Sequence, residues 1–460
     1  MSKTDRSCAS RTAGPATKMT GHLKETANVK ASSTALHELL PLLWLALGTF
    51  ATGTESFMIA ALLPGLASDM SVSITAAGQL MTVFALTYAL SSPVLAAATG
   101  GMNRRHVLLL SMIAFALFNF IAAAAANYWQ LMAARILLAC AAGLYVPSAS
   151  ALAGAVVAPQ RRGTALAIVM GGSSIAVALG VPLGALIGHA MGWRMTFVCV
   201  GILASLAVAG LLFGFPRSVG AGLATASLRE RLAVVQQPPV LVALLVTVIW
   251  GTGAYTVYSY LAPYLAHVAG IGDAQIGLIL FIWGCAAVTG LFTGGAINDR
   301  FGARAMVVPA LALLALAFAS LSFGPGLVGG KILLGSITLA IVVWGVAGWG
   351  FFPAQQARLI GIAGVKVAPI VLSLNASSMY LGFSLGAALG SIALIYGSVM
   401  SLGWVAALCE VVALAIVLVS TRSATGALTG PASANAQPAT AVSTTACQRR
   451  EAQPAGSSAR

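Results

Sequence analysis

Three ionisable side chains stand inside long apolar stretches of the sequence, and they are the residues best suited to chemistry. Glu55 and Arg135 lie in two separate stretches, and Glu410 lies in a third, near the end of the chain. Charge inside a membrane is costly, so such residues are usually functional or paired with one another. A carboxyl group beside a guanidinium could take up and release a proton, or the two could form a permanent structural ion pair. Both interpretations stay open, and Glu410 is expected to be a neutral carboxyl against a neighbouring helix, with a coupling role as the alternative.

No other set of residues points to catalysis, a metal or a cofactor. The sequence has no Gly-Lys-Ser/Thr nucleotide-binding loop, so ATP is not expected to drive the protein directly. The histidines and cysteines are scattered, without metal-ligand spacing or a plausible catalytic triad. We therefore predict that the protein is not an enzyme and holds no metal or cofactor. These residues are His22, His37, His106, His189, His267, Cys8, Cys140, Cys199, Cys285, Cys409 and Cys447.

The elements that must position Glu55 and Arg135 are helices in a membrane. Hydrophobic residues make up 59% of the 460 residues and charged residues 7%, with a mean hydropathy of +0.94. A soluble protein of this size carries far more charge, and a helix needs about 20 apolar residues to cross a bilayer. The sequence therefore predicts an all-α polytopic membrane protein with twelve transmembrane helices. The spans are predicted near residues 39–62, 76–98, 107–126, 129–154, 164–190, 195–215, 239–266, 275–297, 305–325, 331–352, 369–392 and 398–420.

Depth within these spans allows Glu55 and Arg135 to face each other. Glu55 lies about seven residues before the outer end of the first span, and Arg135 about seven residues after the outer start of the fourth. At 1.5 Å of rise per residue, both side chains are expected roughly 10 Å below the outer surface.

Basic residues fall almost entirely on one side of the predicted bundle. Eleven lie in loops on one side and two on the other, a positive-inside pattern that predicts a multi-pass protein with both termini in the cytoplasm. The net charge of +14 therefore reflects topology, and no nucleic-acid binding is expected. The first group is Arg104, Arg105, Arg161, Arg162, Arg217, Arg229, Arg231, Arg300, Arg304, Arg358 and Lys366, and the second is Arg194 and Lys331.

An internal repeat with an offset of 199 residues relates the two halves of the chain. The offset joins Pro64 to Pro263, Gly78 to Gly277, and Arg105 to Arg304. Six spans per copy place both copies in the same orientation, so the sequence predicts two six-helix bundles related by a pseudo-twofold axis along the membrane normal. The predicted divisions are a disordered tail at 1–37, a bundle at 38–215, a linker at 216–237, a second bundle at 238–421 and a disordered tail at 422–460.

A loop motif with the pattern G-x-x-x-D-R-x-G-x-R follows the eighth span. It consists of Gly295, Asp299, Arg300, Gly302 and Arg304, and it resembles the loop motif of the major facilitator superfamily. Asp299 is expected to pair with one of the two arginines or with a helix N-terminus, which could hold one face of the protein shut. Ordinary loop charges are the alternative.

The corresponding segment of the first half is degenerate. It keeps the basic pair Arg104 and Arg105, but Gly100 stands where the family has an acid and Ala96 where it has a glycine. The two arginines are therefore expected either to take part in a gate or to orient the helices around them.

The fifth span carries Gly171, Gly180, Pro182 and Gly184, which resemble the antiporter motif of the superfamily's drug:proton antiporter branch with twelve spans. Small residues allow close helix packing and proline bends a span, so generic packing is the alternative. The segment 53–58 around Glu55 is similar to the arabinose-efflux permease group, which includes sugar, nucleoside and chloramphenicol exporters.

These resemblances imply a major facilitator fold in a bacterial inner membrane that moves small molecules by alternating access. Proton-coupled efflux by antiport, with drug resistance as its outcome, is the function they favour, with small-molecule substrate, protons and the lipid bilayer as partners of a monomer. Proton symport or facilitative uptake of a sugar or metabolite is the alternative. A receptor or enzyme without transport is disfavoured, because the loops are too short to hold another domain.

Five residues are candidates for the substrate cavity. Aromatic rings provide broad apolar contact, and amides can bind polar groups of a ligand. The alternatives are lipid-facing rings at the membrane interface and amides that satisfy neighbouring backbone groups. The five are Trp250, Tyr255, Tyr258, Asn375 and Gln79.

Overall fold

Backbone groups in lipid must find partners within their own segment, so helices form the whole of the spanning part. The structure is a computed structural model, and it describes residues 16–157, 161–215, 227–327 and 330–428. Twelve of its helices are long and apolar enough to cross a membrane, which confirms the predicted number. They are α1 Ala16–Asp69, α2 Ile74–Ala98, α3 Arg104–Ala123, α4 Tyr128–Val156, α5 Arg162–Met191, α6 Trp193–Gly214, α7 Pro238–Tyr258, α8 Asp273–Phe301, α9 Ala303–Phe323, α10 Gly330–Ala363, α11 Ala368–Tyr396 and α12 Ser401–Leu428.

Short polar residues begin several of these helices. The side-chain oxygens of Ser73, Asn103 and Asn127 accept hydrogen bonds from backbone N–H groups in the first turns of α2, α3 and α4. Gly302 joins α8 to α9 at a φ of +82°, a left-handed conformation that side chains disfavour. The second glycine of the loop motif is therefore explained by the backbone turn that it makes.

The packing of the helices repeats between the two halves. In the first half α1 packs on α5 and α2 on α4, and in the second half α7 packs on α11 and α8 on α10. Between the halves, α2 packs on α11 and α5 on α8. The internal repeat maps each of these two interfaces onto the other, because α2 corresponds to α8 and α5 corresponds to α11. Two six-helix bundles related by a pseudo-twofold axis produce this pattern.

One hydrogen bond marks the position of that axis. The Tyr255 hydroxyl donates to the Ser56 backbone carbonyl at 3.3 Å, and the two residues are 199 positions apart. Residues that are equivalent under a twofold repeat can touch only close to the axis. The segment around Glu55 therefore lies at the centre of the molecule, between the bundles.

The structure differs from the predicted boundaries at both ends of α1. Residues 16–37 are helical in the structure rather than disordered, because extending an existing helix costs less than starting a new one. At the other end the helix continues through Pro64 to Asp69, so Glu55 stands 14 residues before its end. Glu55 is thus about 21 Å along the helix from that end, about twice the distance expected from the predicted end of the span. Residues 1–15 and 429–460 of the predicted tails lie outside the described residues.

Two segments extend the second half. A short linker helix, Leu228–Val235, lies in the predicted linker, of which residues 216–226 are outside the described ranges. After α7 the chain continues as a helical turn, Leu261–Tyr264, and a π-helical turn, Leu265–Ala269. The chain divides into the unit Met1–Leu418, which contains the ion pair and the aromatic rings, and the unit Val419–Arg460, which is helical from 419 to 428.

Candidate functional site

Close packing of α5 on α1 fixes the helix that carries Glu55. A Cβ atom on Gly172 would lie 2.2 Å from the Ala46 carbonyl oxygen, and one on Gly180 would lie 2.1 Å from the Thr54 hydroxyl oxygen. Gly172 therefore admits the backbone of α1, and Gly180 of the antiporter-like motif admits the Thr54 side chain. Pro182 follows a π-helical turn, as expected for a residue that lacks an N–H and crowds the preceding turn.

Not every residue of that motif contributes to this contact. A Cβ atom on Gly184 would lie 3.4 Å from the Met58 Cβ atom, which is an ordinary van der Waals distance. A Cβ atom on Gly171 would face open space. The motif thus acts mainly through Gly180 and through the proline that follows it.

Glu55 and Arg135 form an ion pair between α1 and α4. The Arg135 Nη1 atom donates to the Glu55 Oε1 atom, and both side chains are 0% exposed. Two backbone carbonyls also contact the guanidinium, those of Glu55 and Leu80, at 3.4 Å each. The guanidinium carbon lies 4.0 Å from the ring centre of Phe84, which adds a cation–π contact. The two charges that the sequence singled out are therefore brought together.

The pair leaves one polar atom of each partner unused. Glu55 Oε2 and Arg135 Nη2 are buried and have no hydrogen-bond partner among the described residues. Buried polar atoms are nearly always paired, so each exception requires an explanation. Oε2 is available to bind a proton, and Nη2 is available to donate a hydrogen bond to a ligand.

Tyrosines of the second bundle contact the turn of α1 that follows Glu55. The Tyr380 hydroxyl lies 3.2 Å from the Ser56 hydroxyl, and the Tyr258 hydroxyl donates to the Phe57 carbonyl at 2.9 Å. Tyr380 also stacks on Tyr88 of α2, with ring centres 3.7 Å apart. The ion pair is therefore one residue away from direct contacts between the bundles.

An aromatic cluster, which we call the aromatic box, lies on the second-bundle side of Phe57. Three of the predicted substrate-cavity candidates, Trp250, Tyr255 and Tyr258, line this cluster. The remaining space inside the box is a cavity of about 20 Å³. Its lining residues are Phe57, Trp250, Ala254, Tyr255, Tyr258, Trp283, Trp344, Gly348, Trp349 and Phe383.

The two amide candidates lie elsewhere. Asn375 is fully buried in a polar network of the second bundle, where its side-chain oxygen accepts from the Thr247 hydroxyl at 2.7 Å. Gln355 donates to Thr247 at 3.1 Å and extends this network to α10. Gln79 is half-buried near the start of α2 and does not line the box. Asn375 thus joins α7, α10 and α11, and neither amide contacts the aromatic cavity.

The loop motif after α8 has a different geometry from the expected lock. Asp299 is exposed and accepts a hydrogen bond from the neighbouring Asn298 side chain at 3.2 Å. Within the described part of the chain it forms no ion pair with Arg300 or Arg304. Arg300 instead lies over the ring of Phe301, 5.2 Å from its centre. Gly295 is half-buried in the last turns of α8.

The arginines of the first-half copy are buried and hold helix ends. Arg105 donates to the carbonyls of Leu212 at 3.1 Å and Phe215 at 3.2 Å, which close the last turn of α6. Arg104 is 2% exposed, and its guanidinium lies 3.5 Å from the Gly100 carbonyl oxygen. Arg105 therefore orients α3 against α6.

The linker helix connects this region to the second bundle. Ser227 begins it with a capping box, and the Ser227 backbone and hydroxyl lower the pKa of Glu230 by donating hydrogen bonds to its carboxylate. Arg231 donates to the Ser373 hydroxyl of α11 at 2.8 Å. Burial, followed by the nearby charge of Arg104, lowers the pKa of Arg231.

An exposed ion pair lies at the opposite end of the bundle. Asp69 accepts from Arg194 at 2.5 Å and from the Trp193 indole N–H at 3.0 Å. Both charged side chains are nearly half exposed, and a cavity of about 330 Å³ opens beside them between α1, α5, α6 and α8. This pair was not predicted, since Asp69 was placed beyond the end of the first span.

Glu410 is completely buried in α12 with both carboxyl oxygens unpaired within the described residues. A Cβ atom on Gly253 of α7 would lie 2.7 Å from its Oε1 atom, so the carboxyl packs directly against the α7 backbone. An ionised carboxylate without a partner is too costly at such a site. This geometry agrees with a neutral acid packed against a neighbouring helix.

Sequence reasoning missed several residues that complete the site. Phe57, Tyr88, Tyr380 and Phe383 line the seam between the bundles, and Gln355 and Thr247 hold Asn375. Phe57 had a possible signal, because it lies two residues after Glu55. The others are single aromatic or polar residues in apolar spans, with no spacing that distinguishes them. Across the described residues, no three ligating side chains form a metal site.

Two bundles of six helices around a central ion pair and aromatic cavity define a membrane transporter. The chain belongs to the Major Facilitator Superfamily, whose family model matches residues 45–387. Its similarity to transporters rather than enzymes confirms that it is not an enzyme. The family and the helices identify a multi-pass protein of the bacterial inner-membrane type.

Known proteins resemble this chain over most of its length. It is 31% identical to an uncharacterized MFS-type transporter, YbcL, of Bacillus subtilis, over 80% of this chain and 93% of that protein. It is 33% identical to a chloramphenicol resistance protein of Streptomyces lividans, over 60% of this chain and 73% of that protein. A crystal structure of a bacterial homolog of the human lysosomal transporter Spinster, in an inward-facing and unoccupied conformation, has the same fold. Its TM-score is 0.70 at 17% identity, covering 86% of this chain and 99% of that one.

Proposed function

We propose that this protein is a proton-coupled exporter of small organic molecules. The observation that carries the proposal is the Glu55–Arg135 pair, fully buried at the centre of the molecule with an unused oxygen and an unused nitrogen. A transport scaffold does not need such a pair, because the repeat places an alanine, Ala254, at the position of Glu55. The similarity to a chloramphenicol resistance protein supports export as the direction.

The pair links protonation to the contact between the bundles. When Glu55 is ionised, it holds Arg135 and joins α1 to α4. Protonation removes the negative charge, which weakens the pair and releases the guanidinium. Because Ser56 and Phe57 contact the second bundle, a shift of α1 changes the seam on which alternating access depends. Substrate and proton then bias the same equilibrium between conformations.

The basic residues of the loops support an orientation in which both termini are cytoplasmic. In that orientation the Asp69 end faces outward and the Arg105 end faces inward. The protein would then release its substrate at the Asp69 end and take up protons from the same side. The loop motif around Asp299 belongs to the cytoplasmic end, where it would pair in another conformation.

Substrate-driven proton movement in everted membrane vesicles tests this function. The vesicles contain the wild type, Glu55→Gln, or Glu230→Gln as a matched control that removes an exposed acid. Chloramphenicol, arabinose and uridine are added in turn, and a pH-sensitive dye reports the lumen. We expect at least one compound to release lumenal protons with the wild type and the control, and none with Glu55→Gln.

Two results would contradict the proposal. Unchanged proton movement with Glu55→Gln would leave the ion pair as a permanent structural contact. Higher cellular accumulation of the active compound on overexpression would show uptake, whereas export lowers accumulation. Reaction of a single cysteine at position 69 with a membrane-impermeant reagent added outside intact cells checks the orientation.

A further inference from the structure

Phe57 is surrounded by aromatic rings that belong to the other bundle. Its ring centre lies 6.2 Å from that of Tyr255, 5.9 Å from Tyr258, 6.0 Å from Trp349 and 6.1 Å from Phe383. These distances are typical of favourable aromatic pairs. The four rings come from α7, α10 and α11, whereas Phe57 comes from α1. A side chain of the first bundle therefore occupies the centre of a box built by the second.

Two residues that line the box carry hydrogen-bond donors without a partner among the described residues. The indole N–H groups of Trp250 and Trp283 have no acceptor among the described residues, and the two side chains are 4% and 3% exposed. Buried indole N–H groups usually find a partner. A phenyl ring offers no oxygen or nitrogen to them. An occupant that carried acceptor atoms would complete the site.

The same donors decide between two classes of ligand. Aromatic boxes can bind cations through the faces of their rings. Here two of the lining residues carry unpaired N–H groups, and no charged side chain lines the box. These donors disfavour a cation and favour an uncharged ring with acceptor atoms.

Space in the box is available only if Phe57 leaves. The cavity that remains around it measures about 20 Å³. This is room for roughly one water molecule, whereas an apolar cavity that binds benzene measures about 150 Å³. A ligand ring and the ring of Phe57 cannot occupy the box together.

We propose that the aromatic box binds an uncharged aromatic molecule with oxygen or nitrogen acceptors, and that Phe57 is an internal competitor for the same place. This inference names the substrate class of the exporter and rests on the function proposed above. Displacement of Phe57 would also disturb the Tyr258 hydroxyl bond to its carbonyl. Since Glu55 lies two residues earlier on α1, filling the box would move the turn that carries the proton-binding acid.

Equilibrium binding of labelled chloramphenicol to the purified full-length protein tests the competition. Chloramphenicol is the probe because it has a nitrophenyl ring with acceptor oxygens. Phe57→Ala removes the competitor, so we expect it to bind about tenfold more tightly than the wild type. The control is Phe292→Ala, which truncates a ring that is 73% exposed on α8 and should leave the affinity unchanged.

Removal of the donors provides a second measurement. Trp250→Phe and Trp283→Phe, made in the Phe57→Ala protein, keep the ring stacking but delete one N–H group each. We expect each to weaken binding roughly two- to tenfold. If Phe57→Ala does not fold, Phe57→Leu replaces it in both measurements, and we expect it to give a smaller gain in affinity.

The outcomes separate this inference from the proposed function. Weaker binding by Phe57→Ala would make Phe57 an ordinary ligand contact, and equal binding would place the ligand outside the box. Binding to neither protein would show that the emptied box rejects an aromatic ring. Each of these results overturns the inference. Because the assay uses no gradient, tighter binding by Phe57→Ala together with absent proton movement would overturn only the proposed function.

Discussion

Replacement of Glu55 is expected to destabilise the protein more than replacement of Arg135. Glu55→Gln leaves a guanidinium that cannot lose its proton at a site that is 0% exposed. Removing one partner of a buried ion pair costs about 3–5 kcal/mol. Two backbone carbonyls at 3.4 Å and the ring of Phe84 still face Arg135 in this variant. These contacts place the expected cost near the lower limit, at about 3 kcal/mol.

Arg135→Met leaves an acid that can become neutral by binding a proton. The remaining cost is that of a buried, unpaired polar group, about 1–2 kcal/mol. The double variant Glu55→Leu/Arg135→Met removes both charges and replaces them with apolar side chains. Such replacements of buried pairs are often neutral or stabilising by about 1–4 kcal/mol. The double variant should therefore be more stable than Glu55→Gln.

Unfolding in mixed micelles with increasing sodium dodecyl sulfate, followed by tryptophan fluorescence, measures these differences. Asp69→Asn is the control, since it breaks an ion pair that is nearly half exposed and should change stability by at most about 1 kcal/mol. The reasoning fails if Glu55→Gln is no less stable than Arg135→Met. It also fails if the double variant is as unstable as Glu55→Gln.

Three further substitutions test the helix contacts around the site. Arg105→Ala removes two hydrogen bonds to the end of α6 and should lower the free energy of unfolding by about 2 kcal/mol in the same assay, while Arg105→Lys should recover part of this loss. Gly180→Val introduces a side chain where even a Cβ atom meets Thr54, so it should lower the free energy of unfolding by about 1–3 kcal/mol and abolish proton movement in vesicles. Gly171→Ala is its control, because position 171 faces open space and the variant should change neither stability nor proton movement. Glu410→Gln keeps a neutral side chain of the same shape and should retain both stability and proton movement; loss of proton movement alone would give Glu410 a coupling role.

The twelve helices and the central ion pair were predictable because their signals are local. Apolar runs of sufficient length specify spans, and two charges in such runs have few partners other than each other. The predicted end of the first span was wrong because Pro64 was taken as a helix end. Proline is tolerated in spanning helices when neighbouring helices satisfy the freed backbone groups. The chain uses this tolerance to extend α1 to Asp69.

The aromatic box was only partly predictable, for a different reason. Trp250, Tyr255 and Tyr258 lie close together on one helix, so they could be grouped from sequence. Trp349 and Phe383 reach the same place from α10 and α11, and their approach depends on how the second bundle packs. The loop motif after α8 is the opposite case, because its sequence pattern is clear but its contacts were not predicted. Asp299 is a strong sequence signal, but in the structure it contacts Asn298 and neither of the arginines expected to pair with it.

The position of Phe57 explains why this protein could couple a proton to a ligand that never touches Glu55. The acid, the hydroxyl of Ser56 and the ring of Phe57 are consecutive residues of one helical turn. Their partners differ: Glu55 contacts α4 of its own bundle, whereas Ser56 and Phe57 contact α7, α10 and α11 of the other. A rigid helical turn cannot change its contacts on one side without moving on the other. Under the proposed function, ligand binding in the box and protonation of Glu55 would therefore act on the same short segment, and each would change the free energy of the other by the same amount.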